Sequence, residues 1–112
     1  MSFFDSDVVR KEMTDIQDLQ EEIYDSVFTF PQMPKEEKEE HIELLMELLE
    51  KQRILYARMS LSDDPAAKKM KENIQQSAVI MGMPKDVDMA HVFSNMEKMI
   101  GIMKQQVDNI SP

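Results

Sequence analysis

The pentapeptide FPQMP, residues 30 to 34, separates two long stretches in which apolar residues recur alternately three and four positions apart. Upstream the series is Val9, Met13, Ile16, Gln20, Ile23, Val27 and Phe30; downstream it is Ile42, Leu45, Leu49, Gln52, Tyr56 and Met59. That spacing keeps the side chains on one stripe of a 3.6-residue helix, so each stretch reads as an amphipathic helix with a bundle seam. The two prolines between them lack amide donors and end the first helix. Pro34 suits the first turn of the second, where Glu36 and Glu37 meet the positive end of the helix dipole. A short break between two long seams predicts an antiparallel hairpin. Its second arm, residues 35 to 61, is roughly 40 Å long at 1.5 Å per residue.

Punctuation extends the pattern to both sides of the hairpin. Asp5 is placed to cap the first helix, with Phe4 stapled onto Val9. In SLSDDP, Asp64 is a cap whose successor Pro65 occupies the one helical position where a missing amide costs nothing. A weaker seam follows through Ala67, Met70, Ile74, Ser77 or Ala78, and Met81, and Gly82 is free to turn left-handed at its end. Asp88 caps a last helix whose seam is Met89, Phe93, Met96, Ile100, Met103, Val107 and Ile110. With only 2 glycines and few aromatics, a sheet rich in tight turns is disfavoured. The expected fold is therefore all-α: an up-down four-helix bundle built on a long antiparallel N-terminal hairpin. Its helices cover about 6–29, 35–61, 65–81 and 89–109 of a single domain, residues 1–112. The competing arrangement keeps the hairpin and packs the last two helices on it less regularly.

Charge is distributed unevenly along this chain. The net charge is −9, but residues 1–50 hold 15 acidic against 4 basic residues, a net of −11, while residues 51–112 hold 7 against 9, a net of +2. A nucleic-acid binder needs a basic footprint, and an anionic membrane surface attracts one, so neither is expected as a partner. No run approaches the roughly 20 apolar residues of a membrane span, and the opening lacks the regions of a secretory signal, so a cytoplasmic protein is expected. On a helical wheel Glu36, Glu40, Glu43, Glu47 and Glu50 form one stripe facing away from the seam, and Asp15, Asp18, Glu22 and Asp25 form a second on the first helix. Such stripes are most often solvated faces. Two of them side by side exceed what solubility requires, because clustered like charge costs stability unless salt or a basic partner offsets it. A protein partner with a basic patch is therefore expected, or a homo-oligomer in which the second half of another copy supplies the positive charge. Gln20 and Gln52 interrupt the seams, where buried polar residues set register or oligomeric state. Half of the 12 methionines are Met81, Met83, Met89, Met96, Met99 and Met103. Met96 and Met103 sit on the seam and read as core; Met99 and Ile102 lie beside it and read as exposed contact residues.

Chemistry-bearing constellations are sparse. The absence of cysteine removes disulfides, thiolate metal sites and cysteine nucleophiles. A carboxylate-histidine metal bundle needs inward Glu-x-x-His pairs, but Lys38 stands three residues before His41, and the glutamate stripe points away from it. Glu37 and His41, four apart, are the one plausible ligand pair on a shared side, and His91 is preceded by Asp88, which is better used as a cap. No Gly-rich phosphate loop occurs, and Ser60, Ser62, Asp63 and Asp64 are ordinary helix punctuation. No catalytic residue, cofactor or metal is assigned.

Three stretches, MSFFDSDVV, EEHIELLMELLEKQRILYARMSLSDDPAAKKMK and MGMPKDVDM, carry a resemblance over nearly the whole chain. They resemble a small family of cyanobacteria and their phages catalogued as a domain of unknown function, with LYARMSLSDDP the most specific part. The resemblance implies a cyanobacterial or cyanophage protein acting in the cytosol and carries over no site residues. From the residues, the expected function is a small, acidic, non-catalytic helical interaction module, regulatory in role and encoded by the cell or by a phage acting on a host protein. The alternatives are the metal-binding bundle and a structural homodimer.

Overall fold

The computed structural model describes residues 2–80 and 82–110, and these contain helices and no strand. Four α-helices follow one another: α1 (Asp7–Ser26), α2 (Lys35–Leu61), α3 (Pro65–Ile80) and α4 (Met89–Asp108), with short 3-10 turns at Phe3–Asp5 and Phe30–Gln32. The all-α class and the N-terminal hairpin are those the seams predict.

Caps account for the boundaries of α3 and α4. Asp64 accepts from the Ala66 amide at 2.8 Å and Asp88 from the Ala90 amide at 3.0 Å, satisfying donors that the first helical turn leaves free. Gly82 has φ +104°, a conformation that L side chains rarely adopt, and there the Met83 amide reaches back to the Ala78 carbonyl at 3.0 Å. The Gly82 amide meets Val79 at the same distance, completing a Schellman turn after α3. Met81, predicted as the last seam residue of α3, lies outside the described residues.

At the chain start the cap falls later than predicted. Asp5 belongs to the 3-10 turn, where its carboxylate accepts from the Ser2 amide at 3.2 Å, and α1 begins at Asp7. Phe3 and Phe4 are drawn onto the core cluster of Val9, Ile16, Leu55, Met59 and Ala67. The Phe3 amide donates to the second oxygen of Asp64, so the same carboxylate that caps α3 also ties down the first turn of the protein. These amides hold the Asp64 carboxyl below the usual range. α1 also ends early, at Ser26 rather than near 29. The Val27 amide turns back to Tyr24 in an i→i−3 bond, while the Ser26 and Thr29 hydroxyls bond nearby carbonyls and compete with the α-helical ladder.

α2 is the hub. It packs most extensively against α4, then α1, then α3, and the other three helices touch one another little. Glu12 with Arg58 and Ser26 with His41 show α1 antiparallel to α2. Tyr56 with Phe93 and Lys35 with the Asp108 carbonyl show α4 antiparallel to it as well, whereas the expected up-down order would run α4 parallel to α2. A second apolar cluster, Leu49, Met89 and Phe93, joins α2 to α4. Ala67 is 0% exposed, and its small side chain lets α3 approach the hairpin closely. The radius of gyration, 16.1 Å, exceeds the about 13 Å expected of a compact chain this long, and the extents are 51 × 32 × 20 Å. The four helices bundle about α2, and the space that a fully closed four-way bundle would fill stays open.

Candidate interaction interface

That open space is a cleft of about 970 Å³ walled by α1, α3 and α4 and floored by Leu55, Tyr56 and Met59 of α2. It explains where the predicted seams were misassigned. The buried stripe of α1 is Val9, Ile16, Leu19 and Ile23, turned toward α2. Met13 and Gln20, expected on the seam, are exposed and line the cleft, and Val27 is exposed beyond α1's end. Met96, expected in the core, is likewise exposed along the α4 wall, while Met103 is half-buried. The physical reason is that α1 has one extensive neighbour, so one flank of its apolar arc is covered and the other is not. Gln20 and Gln52 both line the cleft, where solvent can satisfy their amides.

The acidic stripes lie on the outside of the hairpin. Asp18, Glu22, Asp25, Glu36, Glu40, Glu43, Glu47 and Glu50 are all exposed, and Asp15 is half-buried. Asp15 sits between Lys11 at 3.9 Å and Lys51 at 3.7 Å. Glu50 is gripped in a two-pronged contact by Arg53, at 2.6 and 3.2 Å, which holds its carboxyl below the usual range. Among the described residues the other seven carboxylates make no ion pair within 4.0 Å. Within the α1–α2 joint, Glu12 accepts from Arg58 at 2.9 Å, and its second oxygen is buried without a partner. Met99 and Ile102 are 65% and 55% exposed on α4.

His41 and Glu37 differ in their surroundings. His41 is buried, its Nδ1 3.1 Å from Ser26 Oγ and its ring 5.0 Å from that of Phe30, whereas Glu37 is exposed. Among the described residues no three His, Asp or Glu side chains converge to hold an ion. Burial pushes the His41 imidazole below its ordinary pKa. The unfolded chain therefore takes up a proton at higher pH than the folded one, and the stability contributed by neutral His41 is lost as pH falls below about 6.5. Urea titrations at pH 7.5 and 5.5 will show the native protein weakening on acidification, with a slope of at most about 1.4 kcal/mol per pH unit from this group. His41→Gln will flatten that slope; an unchanged slope in the variant refutes the assignment.

Tyr56 ties three helices together. Its ring meets Phe93 of α4 at 5.7 Å, its hydroxyl accepts from Gln75 of α3 at 3.3 Å, and the Lys71 ammonium lies 5.8 Å from its ring centre. Burial raises the phenol pKa. Sequence reading placed Tyr56 inward but missed two strongly exposed aromatics, Tyr24 and Phe28, at 75% and 85% exposure. The available signal was an aromatic pair four apart, one beside Asp25 and the other beside Val27.

Fold and surface together define a small all-α protein built around one central helix, with an acidic outer face and an open apolar cleft. Residues 1–107 match the family described as Domain of unknown function (DUF1825), and the chain belongs to that family. No curated protein and no solved structure matches it. No helix among the described residues is long and apolar enough to cross a membrane.

Proposed function

We propose that this protein is a small acidic interaction module, non-catalytic and regulatory, that binds a protein partner bearing a basic patch through the outer face of the α1–α2 hairpin. The observation that carries the reading is the set of seven exposed carboxylates that, among the described residues, have no ion pair within 4.0 Å. A face that kept its acids only for solubility would gain from local pairing of the kind Arg53 gives Glu50. Among the described residues, the cations of residues 51–112 reach this face at Asp15, through Lys51, and at Glu50, through Arg53, and a basic partner would relieve the repulsion among the other acids. In this reading the protein works in the cytoplasm of a cyanobacterium, encoded by the cell or by a phage acting on a host protein.

Capture from a cyanobacterial lysate, compared between the native protein and a variant with Glu36, Glu40, Glu43 and Glu47 all changed to Gln, tests it. The native protein is expected to retain a basic partner at about 0.1 M salt and release it at about 1 M, where the screening length shrinks from about 10 to about 3 Å. The neutralised variant should retain none. Equal retention by both proteins at both salt concentrations overturns the reading.

A further inference from the structure

We infer that the methionine-lined cleft between α1 and α4 is the seat for a basic amphipathic helix of that partner; the inference rests on the acidic-module reading and deepens it. The cleft is apolar where it is deepest, at Leu55, Met59 and Phe93, and its rims carry the unbranched side chains of Met13, Met70 and Met96. Flexible, polarizable methionines line grooves that accept a helix face, and at 36–42% exposure Met13, Met70 and Met96 are left open by the described residues.

The apolar surface continues beyond the cleft. On α1, Tyr24 lies one turn beyond Gln20 on the same arc, followed past the end of the helix by Val27 and Phe28. On α4, Met99 lies three residues beyond Met96, and because both helices are antiparallel to α2 the two edges extend in the same direction. From Met13 to Phe28 the edge is about 22 Å at the helical rise, enough for an occupant of about four turns.

Charge selects the occupant's sign. Beside the arc of Gln20 and Tyr24 runs a row of Asp18, Glu21 and Asp25, three exposed acids without an ion pair among the described residues. The matching α4 edge of Asn95, Met99, Ile102 and Gln106 contains no acid. An apolar trough with one acidic shoulder fits a helix with an apolar face and lysines or arginines along its border.

The test uses three labelled peptides of about 18 residues, long enough to span the edge: a leucine–lysine amphipathic helix, a scramble of it with no apolar face, and a leucine–glutamate helix. Fluorescence anisotropy at about 0.1 M salt is expected to show the leucine–lysine helix binding at least about tenfold more tightly than either control. Met96→Lys, and separately Tyr24→Ser with Phe28→Ser, should each weaken it about tenfold. These side chains are exposed, so helix content and melting temperature should stay unchanged. Changing Asp18, Glu21 and Asp25 to Asn, Gln and Asn should weaken binding and flatten its salt dependence. A scramble that binds as tightly as the helix sinks the cleft assignment and leaves the acidic-face reading standing. A leucine–glutamate helix that binds as tightly sinks the basic occupant and counts against the acidic-face reading too. Sedimentation showing a dimer that Met96→Lys dissociates assigns the cleft to a second copy and overturns the proposal.

Discussion

Phe93→Ala will lower the stability of this protein by about 3 kcal/mol, seen as a fall of roughly 15 °C in melting temperature. Phe93 is buried between Leu49 and Met89 and meets Tyr56 edge-on, so its ring is the main apolar bond between α4 and the hub helix. It also stands between three clefts, lining the 970 Å³ cleft on one side, a cleft of about 940 Å³ bordered by Arg53 and Lys71 on another, and a smaller one beside Ile100 on the third. Truncation joins these spaces, and water will enter. The loss is therefore expected at the low end of the range for buried phenylalanines, because no dry cavity remains. Phe93→Leu, which keeps a wedge of apolar volume, should recover more than half of it. A Phe93→Ala protein that melts within about 3 °C of the native one would show that α4 is held by other contacts.

Ile42→Ala is the second large effect, expected at about 3 to 4 kcal/mol in urea unfolding. Ile42 is 1% exposed, the most fully buried large side chain among the described residues, and it lies in the N-terminal half of α2 next to buried His41. Ile42 lines none of the three clefts that meet at Phe93, so the cavity term adds in full to the lost transfer energy of the removed carbons. Ile42→Val should cost only about 1 kcal/mol, and a ratio near unity between the two substitutions would contradict tight packing at this site.

Much of this architecture could be read from the residues, for reasons that particular positions make plain. Asp64-Pro65, Asp88 and Gly82 announce helix boundaries because their preferences are local, set by an acceptor carboxylate, a missing amide or a missing Cβ. The outward carboxylates were equally legible, since a polar stripe opposite an apolar one leaves little choice of face. What could not be read was which of two adjacent apolar rows each helix buries. Met13 lies on the predicted α1 seam and Leu19 beside it, yet Leu19 is buried and Met13 is exposed. That choice depends on how many neighbours the helix finds, which is a property of the assembled chain. The aromatic pair Tyr24 and Phe28 escaped notice because it lies off the seam, where a periodicity argument does not look. His41 was placed inside by its wheel position, but its commitment to Ser26 required knowing the hairpin register.

The two apolar clusters meet only through residues that serve both. Val9, Ile16, Leu55, Met59 and Ala67 form one, Leu49, Met89 and Phe93 the other, and Tyr56 and Ile74 pack against each. In hydrogen-exchange terms the two clusters define two cooperative units along one spine, the hairpin with the start of α3 and the α2–α4 joint. Amides of α4 would then exchange through a smaller opening than those of α2, whose ladder is broken only when both units come apart.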